Sequence, residues 1–137
     1  MPVKFANNAV TTLASGINNS ATSITVASGK GALFPSLTGA EYFYATLIDA
    51  SNNLEIVKCT ARSSDVLTVT RAQESTSARA FATGDRIELR ITAAGLQEAS
   101  TGATGGGTDQ VFYENSRTVT TNYTLSTNKS AMCVGPL

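Results

Sequence analysis

The chain contains no histidine and no tryptophan, and its ten Lys and Arg are matched by ten Asp and Glu. Without histidine, neither a Ser–His nor a Cys–His pair can form and no imidazole can ligate a metal, which removes most hydrolase and zinc chemistries. A formal net charge of zero argues against an electrostatic nucleic-acid binder, whose footprint is a surplus of Lys and Arg. No apolar run approaches the length of a membrane span. Met1-Pro2-Val3-Lys4-Phe5-Ala6-Asn7-Asn8 lacks the apolar stretch of a signal peptide, so export by that route is not expected. The sequons at Asn18, Asn122 and Asn128 therefore have no secretory context. There are only two cysteines, Cys59 and Cys133. They fall on different segments and read as free, mostly buried thiols acting as small hydrophobes.

Charged residues make up 15% of the 137 residues, against about 25% in ordinary globular domains. Hydroxyls take their place: 20 Thr and 14 Ser, about a quarter of the chain. Threonine suits a pleated, half-buried surface because its branched side chain packs there, so the composition leans all-β. Strand signals recur at short intervals. Residues 9–14 and 22–26 come first, the latter with Ile24 and Val26 on one face and Thr25 on the other. Gly29-Lys30-Gly31 is a turn without the spacing of a phosphate loop, and Leu33-Phe34-Pro35 reads as an apolar plug. Residues 41–48 form a strand buried on much of both faces, residues 54–60 return from a turn at 49–53, and residues 66–71 complete a meander. The stretch 72–82 is small, polar and loop-like. Residues 86–91 alternate strictly, which predicts Ile87, Leu89 and Ile91 inside and Arg86, Glu88 and Arg90 outside. Residues 92–99 suggest a short helix weakened by Gly95. The expected core of this first domain, residues 1–99, comprises Ile24, Val26, Phe34, Phe43, Leu47, Ile56, Val69, Ile87 and Leu89.

Residues 100–108, rich in Gly and Thr, have the composition of a linker. The remaining segment, 109–137, is strand-like around residues 110–114 and 117–125. It is shorter than the roughly 40 residues a lone domain usually needs, and an isolated hairpin is marginal in water. Either it folds back on the first domain or it pairs with copies of itself. Its apolar content and the Gly-rich linker favour self-association.

Signs of catalysis are sparse. Ser126-Thr127-Asn128-Lys129 has the formal spacing of a Ser-x-x-Lys nucleophile, but it lies in a Thr/Asn-rich strand or turn rather than at a helix start, and its companion motifs are missing. Asp49 and Glu55 flank one turn and Asp85 and Glu88 another, the usual places for solvated carboxylates. No carboxylate run has the spacing of a calcium loop. Arg71, Glu74 and Arg79 could form a salt-bridged contact site or simply a solvated loop. Four Tyr and no Trp offer little stacking surface for a carbohydrate-binding module. The residues thus predict no catalytic site, no metal and no cofactor.

Several strings nevertheless resemble a family of small structural proteins of tailed bacteriophages, those of the head-decorating (cement) or tail-fibre-like type. They are Gly31-Ala32-Leu33-Phe34-Pro35, Tyr42-Phe43-Tyr44-Ala45-Thr46-Leu47, Glu55-Ile56-Val57-Lys58, Leu67-Thr68-Val69-Thr70-Arg71-Ala72-Gln73-Glu74 and Gly84-Asp85-Arg86-Ile87-Glu88-Leu89-Arg90. Two more lie further on, Asp109-Gln110-Val111-Phe112-Tyr113-Glu114-Asn115 and Asn122-Tyr123-Thr124-Leu125. Cys59 stands where an aliphatic residue is expected, and similar proteins continue past the Gly135-Pro136 step with further strand repeats. The resemblance implies a non-enzymatic virion protein. Its N-terminal β-sandwich or small barrel would dock on the virion, and its C-terminal strands would intertwine in a homotrimer. The trimer contacts expected are Val111, Phe112, Tyr113, Val119, Tyr123 and Leu125. The implied partners are other copies of the chain and the major capsid protein or tail proteins, with no role for nucleic acid or membrane. Decoration of the head is the first expectation, a tail fibre or adaptor the second. If the C-terminal strands carry the trimer, a chain ending at Gly107 is a folded monomer in light scattering while the full chain is trimeric; a shortened chain that stays trimeric contradicts this.

Overall fold

The chain divides into two units, Met1–Ala103 and Thr104–Leu137. The structure is a computed structural model that describes residues 2–100. Cys133, Ser126, Lys129 and the trimer contacts expected at Val111, Phe112, Tyr113, Val119, Tyr123 and Leu125 lie outside the described residues.

The described residues are all-β in class: six strands, one short α-helix and a 3-10 turn at Gly31–Leu33. The strands are β1 (Val10–Thr12), β2 (Ser23–Thr25), β3 (Phe43–Ile48), β4 (Leu54–Ser63), β5 (Val66–Gln73) and β6 (Arg86–Glu88); the helix is α1 (Ala93–Ser100). They form a single antiparallel sheet in the order β1-β6-β3-β4-β5-β2, not two stacked sheets. The sheet curls into a half-barrel. Its two edge strands approach one another just past their ends, where Leu13 and Val26 form a bridge and Ala14 N–H and Ala27 N–H donate to the carbonyls of Thr25 and Thr12.

Curling gives the sheet a concave face that buries its apolar side chains. Alternation decides which ones. On β4, Val57 and Cys59 point inward; on β5, Leu67 and Val69 do; on β3, Phe43, Ala45 and Leu47 do. Phe34 enters from the 3-10 turn and stacks on Phe43 with ring centroids 5.6 Å apart. Ile24, Val26, Phe34, Phe43, Leu47, Val69 and Ile87 all lie in this core, and Leu89 is half-buried against it. Ile56 does not belong to it. It sits between the inward-facing Glu55 and Val57, so the two-residue period puts it on the convex face, where it is half-buried. Ile91 departs further from its expected inward position and is 72% exposed. The ladder of β6 ends at Glu88, so alternation no longer dictates facing at Ile91.

Two turns are fixed by carboxylates. Asp49 accepts from the Ser51 and Asn53 amides and from the Asn53 side chain, closing the β3–β4 turn. These bonds, that from the Asn53 side chain foremost, hold its carboxyl below the ordinary aspartate value. Asp65, in the β4–β5 turn, accepts from Gly29 N–H at 2.9 Å and Gly31 N–H at 2.8 Å. That carboxylate clamps the 3-10 turn so tightly that a Cβ on Gly31 would stand 2.0 Å from the Ser64 carbonyl oxygen. Glycine is required there for close approach.

Candidate functional site

The inward rows of β4 and β5 each end in a charge. Leu67 and Val69 continue in phase to Arg71, and Val57 leads back to Glu55. Between them the register slips: β5 carries one extra residue where Lys58–Thr70 pairing gives way to Ile56–Gln73. Ala72 takes up that residue with a left-handed φ of 55°, the signature of a bulge that re-aims its neighbours. Arg71 thereby faces Glu55 at one end of the core.

Glu55 is fully buried and was expected to be a solvated turn residue. Its Oε1 accepts from Arg71 Nε (2.8 Å) and Ala72 N–H (3.0 Å), and its Oε2 from an Arg71 terminal nitrogen (2.7 Å) and Arg79 N–H (3.0 Å). The Arg71 side chain is 8% exposed. Beyond Glu55, it donates to the carbonyls of Asn18 (2.7 Å), Ala21 (3.1 Å) and Arg79 (2.6 Å). The five N–H donors of a guanidinium are thus all engaged. Burial pushes the Glu55 carboxyl up, but the hydrogen bonds from Arg71, Ala72 and Arg79, with the Arg71 charge, outweigh it and leave the group below the ordinary 4.5. A carboxylate accepting four hydrogen bonds has no lone pair left for proton transfer, so this pair organises structure.

The triad Arg71, Glu74 and Arg79 is therefore not one salt-bridged patch. Arg71 pairs with Glu55 rather than Glu74, and Arg79 joins through its backbone. Glu74, at a left-handed φ of 50°, turns instead to α1, where its Oε2 accepts from Ala94 N–H at 3.1 Å while its buried Oε1 has no hydrogen-bond partner.

The convex face of the sheet carries a second cluster. Tyr42 and Tyr44 meet edge to face, with centroids 5.7 Å apart, and the Lys58 ammonium lies 3.7 Å from the Tyr42 ring centroid. Both hydroxyls donate to the Glu98 carboxylate on α1. The Glu98 bond first and burial second raise Tyr42 to about 12, and burial first and the Glu98 bond second do the same for Tyr44. Burial pushes the Cys59 thiol to about 12 as well. Glu88, expected to face solvent, is largely covered on this face and lies between Arg86, at 3.4 Å, and Arg90.

Beside this cluster runs a groove of about 330 Å³, bordered by Leu54, Ile56, Ile91 and Ala93 with Glu74 and Arg90 among its polar walls. Leu54 is 47% exposed, and Leu96 on α1 is 59% exposed. With Ile91, these leave large apolar side chains exposed beside the groove and on α1. Large exposed apolar groups gathered on one face are the ordinary mark of an association surface. Among the described residues no three Cys, Asp or Glu gather as a metal site. Compared with known proteins, the chain matches no family model and no curated sequence.

Sequence reasoning missed Glu55 because it was read by its distance from a turn. The signal was its phase: Glu55 shares the parity of Val57 and Cys59, as Arg71 shares that of Leu67 and Val69. Replacing Glu55 with Gln puts an amide donor against donors in a buried site. Glu55→Gln is expected to lose about 3–5 kcal/mol of unfolding free energy in denaturant titration, and a loss under about 1 kcal/mol contradicts the central role assigned to the pair.

Proposed function

We propose that the chain is a non-enzymatic structural protein of a tailed-bacteriophage virion, a trimer that decorates the outer surface of the head and cements it. The observation that carries this reading is how the strings bearing the resemblance are disposed in the fold. Tyr42 to Leu47, Glu55 to Lys58, Leu67 to Glu74 and Gly84 to Arg90 fall on or beside β3, β4, β5 and β6, which are consecutive neighbours in the sheet. Gly31 to Pro35 is clamped to the β4–β5 turn by Asp65. The Arg71 and Glu55 that tie two of these strings together form the buried pair.

The chemistry of the described residues agrees with a binding role. The perturbed carboxylates, tyrosines and thiol move away from neutrality, whereas a general acid or base works best with a value near the operating pH. The apolar convex face offers a surface for docking on a shell or on a neighbouring copy. The partners under this reading are copies of the chain and the major capsid protein, and the place of action is the virion.

The test is the copy number of this chain per particle, measured by quantitative mass spectrometry against the major capsid protein. Decoration predicts a number comparable with the capsid subunits. A number far below that assigns the chain to a tail fibre or adaptor, and a particle without the chain contradicts the virion reading altogether.

A further inference from the structure

Helix α1 is built the wrong way round for a helix held by the hydrophobic effect. It exposes Leu96, and the Ile91 that leads into it is more exposed still; the residue it buries is Gly95. What faces the sheet is an acid. Glu98 receives both tyrosine hydroxyls, from Tyr42 and, at 3.1 Å, from Tyr44. The helix start is held in the same polar way, by Glu74 accepting from Ala94 N–H and Thr92 Oγ1 accepting from Gly95 N–H, each at 3.1 Å. Gly95 lets the helix lie this close. A Cβ there would stand 3.4 Å from Tyr44 Cδ2 and 3.0 Å from Thr92 Oγ1.

These features separate α1 energetically from the rest of the domain. Eight residues are fewer than the roughly 12–15 at which an isolated helix becomes even marginal in water, and an internal glycine weakens it further. Detached, α1 therefore unravels. Attached, it is held through charge-assisted hydrogen bonds to Glu98 and Glu74, while the core cluster on the other face of β3 contains no residue of α1. Charged groups near this latch include Lys58, over the Tyr42 ring, and Glu74, which acts on Tyr44.

We propose that α1 is a releasable strap: it is latched to the convex face by the Glu98 carboxylate between Tyr42 and Tyr44, and it opens as a unit while the sheet stays folded. Its release has a geometric consequence. As a helix the eight residues span about 12 Å; extended, they reach about 26 Å. Opening the strap therefore lengthens the reach of residues 93–100 and uncovers the two tyrosines. This inference stands on the geometry of α1 and does not rest on the virion reading.

Native-state hydrogen exchange on the full chain tests it. The α1 amides from Leu96 onward are expected to exchange at least about a hundredfold faster than the core amide of Val69, which donates to the Thr22 carbonyl, because sub-global openings sit well below global unfolding in free energy. In the double variant Tyr42→Phe/Tyr44→Phe, which loses both bonds to Glu98, α1 is expected to exchange at least about tenfold faster again, with Val69 unchanged. Exchange of α1 at the rate of Val69 in the unaltered chain overturns the proposal, because the helix then opens only when everything does. So does an α1 rate that ignores loss of both hydroxyls. If the double variant does not fold, the comparison within the unaltered chain decides alone.

Discussion

One carboxylate holds the β domain's irregular parts in place. Glu55 is buried at the end of the core, where a charge is costly unless fully paired, and its pairing is what draws distant segments together. Through Arg71 it reaches the carbonyls of Asn18 and Ala21 in the loop between β1 and β2. Directly, it takes the amides of Ala72 and Arg79 and so pins the end of β5 and the middle of the long connection between β5 and β6. That connection then carries Phe81 into the core, where it bridges Ile17, and positions Glu74 to cap α1. Removing the carboxylate leaves five guanidinium hydrogens and two amides competing for too few acceptors.

The two faces of the sheet are held by different forces. The concave face is a close-packed apolar core in which Phe34, Phe43, Leu47, Leu67 and Ile87 are essentially inaccessible, and its stability grows with buried area. The convex face is organised by hydroxyls, carboxylates and cations, with apolar residues left at the surface. β3 is buried along its whole length: Phe43, Ala45 and Leu47 face the core, and on the other face Tyr44 is covered by α1.

Much of the architecture was legible in the sequence because alternation is a direct imprint of the pleat. The meander of β3, β4 and β5 and the inward Val69 and Ile87 follow from it. Reading failed where alternation was broken or where polar groups were buried. Ile56 looked like core by composition but had the wrong parity. Ile91 continued a pattern that the backbone had already left. Glu55 and Arg71 obeyed the inward parity, yet Glu55 stood beside a turn and Arg71 beside the loop charges Glu74 and Arg79, which pointed to solvent or to a surface ion pair rather than to each other. α1 was foreshadowed as a weak helix, yet its attachment was invisible, since a helix that turns a glutamate to the sheet and exposes leucine inverts the periodic signal. The bulge at Ala72 and the clamp of Asp65 on Gly31 join residues far apart in the chain, which local patterns do not encode.

The most direct test of the role given to Glu55 is the pH dependence of unfolding free energy, compared between the unaltered chain and Glu55→Gln. A carboxyl whose folded value lies below its unfolded one contributes stability that is complete above the unfolded value and is lost as pH falls through the folded value. Asp49 and Asp65 are also held low, but they are common to both proteins and cancel in the difference. The stability gap between the two is therefore expected to be constant from pH 7 to about 5 and to narrow below the ordinary glutamate value of 4.5. A gap that begins to close well above pH 5, or that never closes in acid, contradicts a buried, ionised Glu55 as the group on which the fold depends.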